Sequence, residues 1–290
     1  MTIKEKQIKL NDLTINYVES GCGIPIIFLH NGGGFWQSWI HQINFFSKKN
    51  KVYALDLPSF GGSDSPDDEK VTLNLITDIL ESFIQVKSLK NVNLVGNCIG
   101  GSVALLYNIR YPENVNTLII FNICPGIKIY RSRVLRVILP RVNSYPVLKN
   151  ILTTLFTFIC TKTIIERQFP KILFGKNVDI NSFLYKYYKK KFKEKKQNKG
   201  RANLVFTVHT FNLDIILQQE KAPKHLLVWG KENKVVPYKR LFKYHKDLLK
   251  PEKTITLDNV GHLCMYEKPA EVTNIIEKYI NQHPIIQYQK

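Results

Sequence analysis

Six short runs of nearly unbroken apolar residues constrain this chain more than any other feature. They are residues 24–30 (IPIIFLH), 52–56 (VYALD), 91–96, 114–123 (NVNTLIIFNI), 225–230 (HLLVWG) and 254–258 (TITLD). A strand with one face in water alternates apolar and polar side chains, whereas a strand covered on both faces does not. Helical periodicity lies between the runs, at 73–83, 102–109, 238–249 and 270–280. Strand and helix in alternation predict an α/β fold, with a mostly parallel central sheet flanked by helices.

Residues 126–201 break the alternation. Two helical segments are legible there. In one, Leu148, Leu152, Leu155 and Ile159 recur at helical spacing and read as an apolar seam. The other, 185–199, is mostly lysine with interleaved Tyr and Phe. The expected organisation is a core of 1–125 and 202–290, with 126–201 inserted as a helical cap over the carboxyl edge of the sheet. The insert holds nineteen Lys and Arg against three Asp and Glu, and so carries most of the chain's net charge of +19. A lysine-rich helix would point charge almost all around itself, and an acidic carrier protein or an anionic membrane surface would relieve that repulsion. A solvated face is the plainer reading. Nucleic acid is not an expected partner.

The 290 residues suffice for a large core without staples. Five cysteines (Cys22, Cys98, Cys124, Cys160, Cys264) form no CxxC pair, which argues against a zinc site and a disulfide framework. No metal and no cofactor is expected. The first residues, MTIKEKQIKL, lack the apolar core of a signal peptide. The uncharged apolar stretches fall short of the roughly 20 residues that span a bilayer. A reducing cytoplasm is the expected location, and it would keep Cys98 a thiol.

The run at 91–96 leads into Gly96-Asn97-Cys98-Ile99-Gly100-Gly101. Strand, sharp turn and helix are what a nucleophile elbow requires, with glycines where a side chain would clash. The helix starting behind Cys98 points its positive end at the sulfur and favours the thiolate. FLHNGGG, ALDLPSFGGSD, LVGNCIGG, LLVWGKENKVVP and DNVGHLCMYEKP follow one another in this order. Together they resemble the α/β-hydrolase superfamily in its capped, epoxide-hydrolase-like branch, from about residue 14 to 280.

That resemblance implies a Cys98 nucleophile and a His262 base. It implies an oxyanion hole from the backbone N–H groups of Gly32 and Ile99. Asn31, Gly33, Trp36, Asn97 and Leu263 are the expected substrate-lining residues. The chain departs from the family at three places. Cys98 replaces the usual serine, Asn31 stands where glycine is usual, and Asn233 stands where the pattern puts an aspartate. Glu232 is the fallback acid, Asn122 another residue able to orient His262, and Asp258 a loop residue. Replacing Asp by Asn costs about 10⁴ in rate in a serine triad. A thiol can already have passed its proton to histidine, so that a neutral amide suffices to hold the ring, as in Cys-His-Asn proteases. Cysteine in this elbow also resembles dienelactone hydrolases and polyhydroxyalkanoate synthases. The expected chemistry is an acyl-enzyme on Cys98, formed from a small-molecule or carrier-bound thioester or activated ester. Hydrolysis or transfer, as by a thioesterase or acyltransferase, would resolve it. A synthase or cyclase using the same cysteine is an alternative, and the apolar seam suggests a lipophilic acyl chain. The rivals from other classes are a non-catalytic ligand-binding homologue and a membrane-surface or carrier-binding module.

Overall fold

A computed structural model describes residues 3–66, 70–142, 144–160, 168, 171–176, 179–217 and 220–284, and the Cys160 side chain and the remaining positions of the expected segments lie outside the described residues. The sheet has eight strands: β1 (Glu5–Leu10), β2 (Leu13–Ser20), β3 (Pro25–Leu29), β4 (Lys51–Leu55), β5 (Val92–Asn97), β6 (Val115–Phe121), β7 (Leu226–Gly230) and β8 (Lys253–Leu257). They lie in the order β1-β2-β4-β3-β5-β6-β7-β8. β1 pairs antiparallel with β2, and β2 antiparallel with β4; every pairing from β4 onward is parallel. The six apolar runs are the six strands from β3 to β8.

Unbroken apolarity is explained by two cores, one on each face. On β3, Ile27 and Leu29 join one core while Ile26 and Phe28 join the other. The first is closed by α2 (Leu73–Val86) and α3 (Ile99–Arg110), the second by α1 (Ile40–Phe46) and the C-terminal α11 (Pro269–Gln282). Thr72 caps α2, its hydroxyl accepting from the Leu75 N–H at 3.2 Å.

Between β6 and β7 the described residues contain helices and no strand. The principal ones are α4 (Arg133–Val142), α5 (Pro146–Cys160), α6 (Phe183–Lys191) and α7 (Lys195–Thr207), followed by the short α8 (Leu213–Ile216). The boundary expected at 201/202 falls inside α7, so the helical run extends to Ile216. The lysine-rich segment is two helices rather than one. α6 stops at Phe192, and a turn at Lys193 leads to Glu194, which precedes α7. This break puts Leu184, Tyr185, Tyr188 and Phe192 inside and Lys186, Lys189, Lys190, Lys195, Lys196 and Lys199 outside. The charge is therefore on an outer face, not all around.

The apolar seam of α5 also differs from expectation. Leu148, Leu155 and Ile159 are exposed, and the buried side is Lys149, Thr153 and Thr157. The helix is turned with its polar stripe inward. No described helix is long and apolar enough to cross a membrane.

Candidate active site

β5 ends at Asn97, and Cys98 turns the chain into α3 with φ 56° and ψ −113°. A non-glycine residue there is strained by about 1–3 kcal/mol and needs fixing by its surroundings. The fixing is visible. Cys98 N–H donates to Phe121 O at 2.9 Å, and its carbonyl accepts from the N–H groups of Ser102 (3.1 Å) and Cys124 (3.3 Å). The glycines are required as expected. A Cβ at Gly100 would lie 2.5 Å from Leu29 O, and one at Gly96 would strike the Gly100 carbonyl.

The sulfur of Cys98 sits in a buried position, only 5% exposed. Its thiol is pulled well below the ordinary range, first by the neighbouring Cys124 thiol and against the opposing effect of burial, with help from His262 and the Ile99 N–H. Cys124 is pushed the other way, well above its ordinary value. The two shifts are opposite, so of the pair Cys98 is the thiol that gives up its proton more readily. Cys124 lies just past β6 and carries no sequence signal linking it to the elbow.

His262 is held by its backbone. Its N–H donates to Leu173 O at 2.8 Å. Its carbonyl accepts from Asn97 Nδ2 at 3.1 Å and Asn122 Nδ2 at 3.2 Å. Asn97 and Asn122 are thus positioning residues of the histidine loop; Asn122 does not touch the ring. Glu267 reinforces the loop. Its carboxylate accepts from the N–H of Gly261 at 3.0 Å and of Gly175 at 2.7 Å. Burial pushes the Glu267 carboxyl up, and these N–H groups pull it down. Glu267 stands within the sequence block that carries His262 but drew no role there. Glu232 points elsewhere, accepting from the Lys176 N–H at 2.8 Å. Asp258 pairs with Lys231 at 2.7 Å and is an exposed loop residue.

Asn233 does reach the ring, with Nδ2 3.0 Å from His262 Nδ1. Its other atom is committed, since Oδ1 accepts from the Val236 N–H at 2.9 Å. Turning the amide over would set NH₂ against N–H, so the orientation is fixed. An amide NH₂ only donates, so Nδ1 must accept, and the proton of the neutral ring belongs on Nε2. The contact has the expected partners and the opposite polarity to the one an imidazolium needs.

Residues 30–34 form a tight loop at the end of β3, closed by the Gly34 N–H donating to Asn31 O at 2.8 Å. His30 donates from Nδ1 to Asn31 O (2.7 Å) and accepts at Nε2 from the Leu57 N–H (2.8 Å). Burial lowers its pKa to about 4, which keeps it neutral. Asn31 donates to Gly32 O (3.1 Å) and accepts from the buried Tyr188 hydroxyl of α6 (3.3 Å), so the unusual asparagine ties this loop to the inserted helices. Tyr188 is hidden in sequence among lysines. Gly32 and Ile99 are neighbours. A Cβ on Gly32 would be 3.5 Å from Ile99 Cδ1 and 2.5 Å from Leu204 Cδ2 of α7. Gly33, at φ 74°, lies under Arg201. Trp36 is turned toward the first strand, its indole donating to Glu5 at 3.1 Å, and Leu263 is packed in the second core. Among the described residues no cluster of His, Cys, Asp and Glu could hold a metal ion.

Comparisons with known proteins agree with this architecture. The sequence profile of the alpha/beta hydrolase fold matches residues 24–269. Epoxide hydrolase 4 of Mus musculus is 32% identical over 133 residues, covering 45% of this chain and 37% of that protein. The 2-hydroxymuconate semialdehyde hydrolase of Pseudomonas sp. (strain CF600) is 29% identical over 118 residues, 40% of this chain and 42% of that one. These alignments span less than half the length of either relative. A thermophilic esterase from Thermogutta terrifontis superposes with a TM-score of 0.76 at 17% identity, over 97% of this chain and 100% of that one. With that profile matching most of its length and a mostly parallel sheet of this order flanked by helices, the chain belongs to the alpha/beta hydrolase fold family.

Proposed function

We propose that this is an acyl-processing enzyme in which the Cys98 thiolate attacks a thioester or activated ester and carries the acyl group. The observation that carries this reading is the sulfur itself. It stands at the strained elbow with its pKa drawn down and with N–H, S–H and imidazole groups around it. The N–H groups of Gly32 and Ile99 would receive the developing oxyanion, which needs donors at about 3 Å. The relatives are named as hydrolases, and a hydrolase of this fold is the coarser form of the same reading.

The His262 tautomer narrows it. With Nδ1 accepting from Asn233, the proton on Nε2 supports a thiolate as a hydrogen-bond donor. With its proton on Nε2, the ring turns no lone pair toward the sulfur that could take a proton from water. Attack on a thioester needs no base. Sulfur–carbon bond formation expels the leaving group as a thiolate, giving Cys98–S–CO–R and R′S⁻ with nothing left to protonate. Attack by water on the acyl-enzyme does need a base. The site therefore favours transfer to a strong nucleophile, such as a second thiolate, over hydrolysis. The acyl donor is expected to be a small molecule or carrier-bound.

The test is turnover of an acyl thioester with and without an added thiol acceptor. Wild-type protein is expected to give a burst of released thiol, then slow turnover that the acceptor accelerates; Cys98→Ala is expected to give neither. Turnover that survives Cys98→Ala would overturn the reading.

A further inference from the structure

An ordinary surface helix turns its apolar stripe inward. α5 does the reverse. Thr153 and Thr157 are buried against the rest of the insert, Thr153 facing Asn203 of α7 at 3.5 Å. The outward side carries Val147 (75% exposed), Ile151, Leu155 and Phe158. α4 extends the same character with exposed Val134 and Ile138. So large a cluster of exposed apolar side chains is rare on a monomeric protein that meets only water.

The charge around it selects the occupant. Arg131, Arg133 and Arg141 are exposed and Arg136 half-buried, and residues 126–160 hold no acidic residue; Lys149 is on the buried side and Lys128 is paired with Asp214. A second copy of this chain would set these cations against themselves. An acidic globular partner would answer the charge but would leave the apolar side chains against a polar surface. An anionic phospholipid surface answers both. Beside the face, a cleft of about 440 Å³ between α5 and α7 is lined by Thr153, Thr154, Thr157, Phe158, Lys195 and Lys199. Threonine hydroxyls and methyls, the Phe158 ring and two ammonium groups suit a phosphate headgroup with its first methylenes. α5 spans 15 residues, about 22 Å at 1.5 Å per residue, too short to cross a bilayer but suited to lying in its interface.

We infer that the outer face of α4 and α5 docks the protein on an anionic phospholipid surface, with the apolar side chains inserted and the flanking Arg and Lys on the headgroups. This differs from the sequence expectation in its location, since the lysines of α6 have no comparable apolar side. It is independent of the chemistry at Cys98.

Flotation of the full chain with vesicles tests it. One set is phosphatidylcholine alone and the other contains about a third phosphatidylglycerol. Ile151→Glu/Leu155→Glu alters only exposed positions, and circular dichroism with a melting curve checks that it folds. Arg131→Glu/Arg133→Glu removes charge while leaving the apolar face. Wild-type protein is expected to float with the anionic vesicles, at least tenfold more than with neutral ones, and less as salt rises. The glutamate pair in α5 is expected to lower binding at least tenfold, and the arginine pair to narrow the difference between the two lipids. The inference is overturned if wild-type protein stays unbound, or if the α5 variant binds as wild type does. It is also overturned if sedimentation equilibrium shows a dimer that the α5 variant dissolves while vesicle binding is absent.

Discussion

The amide of Asn233 donates to Nδ1 of His262 across 3.0 Å, because its oxygen is already taken by the Val236 N–H. An aspartate at 233 would keep the bond to Val236 and present a second oxygen to Nδ1. The ring would then carry its proton on Nδ1 and offer Nε2 as a base. Asn233→Asp is accordingly expected to speed hydrolytic decay of the acyl-enzyme at least tenfold, with a smaller effect on acylation. The opposite substitution in a serine triad costs about 10⁴, which bounds the gain. Single-turnover decay of an isolated acyl-enzyme reads it directly. Unchanged decay would mean that the tautomer is not what limits hydrolysis.

Cys124 supplies the largest pull on the Cys98 thiol. A thiol whose pKa is lowered stays thiolate as pH falls, and alkylation follows the thiolate fraction. Cys124→Ala removes that pull, so the Cys98 pKa is expected to rise and its alkylation profile to move toward higher pH. In mildly acidic buffer the variant should react more slowly than wild type, and in alkaline buffer the two should converge. Iodoacetamide labelling across a pH series, followed by peptide mapping, separates Cys98 from the exposed Cys22. Coincident profiles would remove Cys124 from the site.

Gly96 and Gly100 have no room for a methyl group against the Gly100 and Leu29 carbonyls. Gly100→Ala is expected to destabilise the fold by about 1–3 kcal/mol or more, the range for forced backbone displacement in a packed interior. Denaturant unfolding measures it, and a cost below about 1 kcal/mol would show that the elbow yields more easily than its geometry implies.

Glu267 holds two N–H groups, Gly261 in the histidine loop and Gly175 in the insert. Oε2 meets both N–H groups, at 2.7 Å and 3.1 Å, and Oε1 meets Gly261 at 3.0 Å; Glu267→Gln keeps one oxygen and sets an NH₂ against the Gly261 N–H or the Gly175 N–H, at about 1–3 kcal/mol. Acylation of Cys98 is expected to slow severalfold while the far-ultraviolet spectrum is unchanged. Wild-type acylation rates would show that the loop is held well enough by Leu173, Asn97 and Asn122 alone.

The strands from β3 to β8 were legible because burial on both faces leaves runs without alternation. β1 and β2 were not, since the antiparallel hairpin carries a mixed pattern, with Glu5, Lys6 and Lys9 on β1. The strand–turn–helix at Cys98 and the Asn233–His262 contact were legible because each rests on particular residue types at fixed spacing. Cys124 and Glu267 reach the site through the register of β6 and the path of a short helix, and neither leaves a local mark. The polarity of the Asn233 contact was invisible for a different reason: it depends on which backbone N–H the other amide atom meets. Helical spacing in α5 was read correctly, but period alone does not say which side of a helix faces the protein.

The most direct test of Cys98 as the acyl carrier is intact-protein mass spectrometry after brief exposure to an acyl thioester, followed by peptide mapping. The account predicts a single adduct of the acyl mass, placed on Cys98, absent from Cys98→Ala and discharged by an added thiol. An adduct on Cys22 or Cys264 with Cys98 unmodified, or no adduct while thioester is consumed, would contradict it.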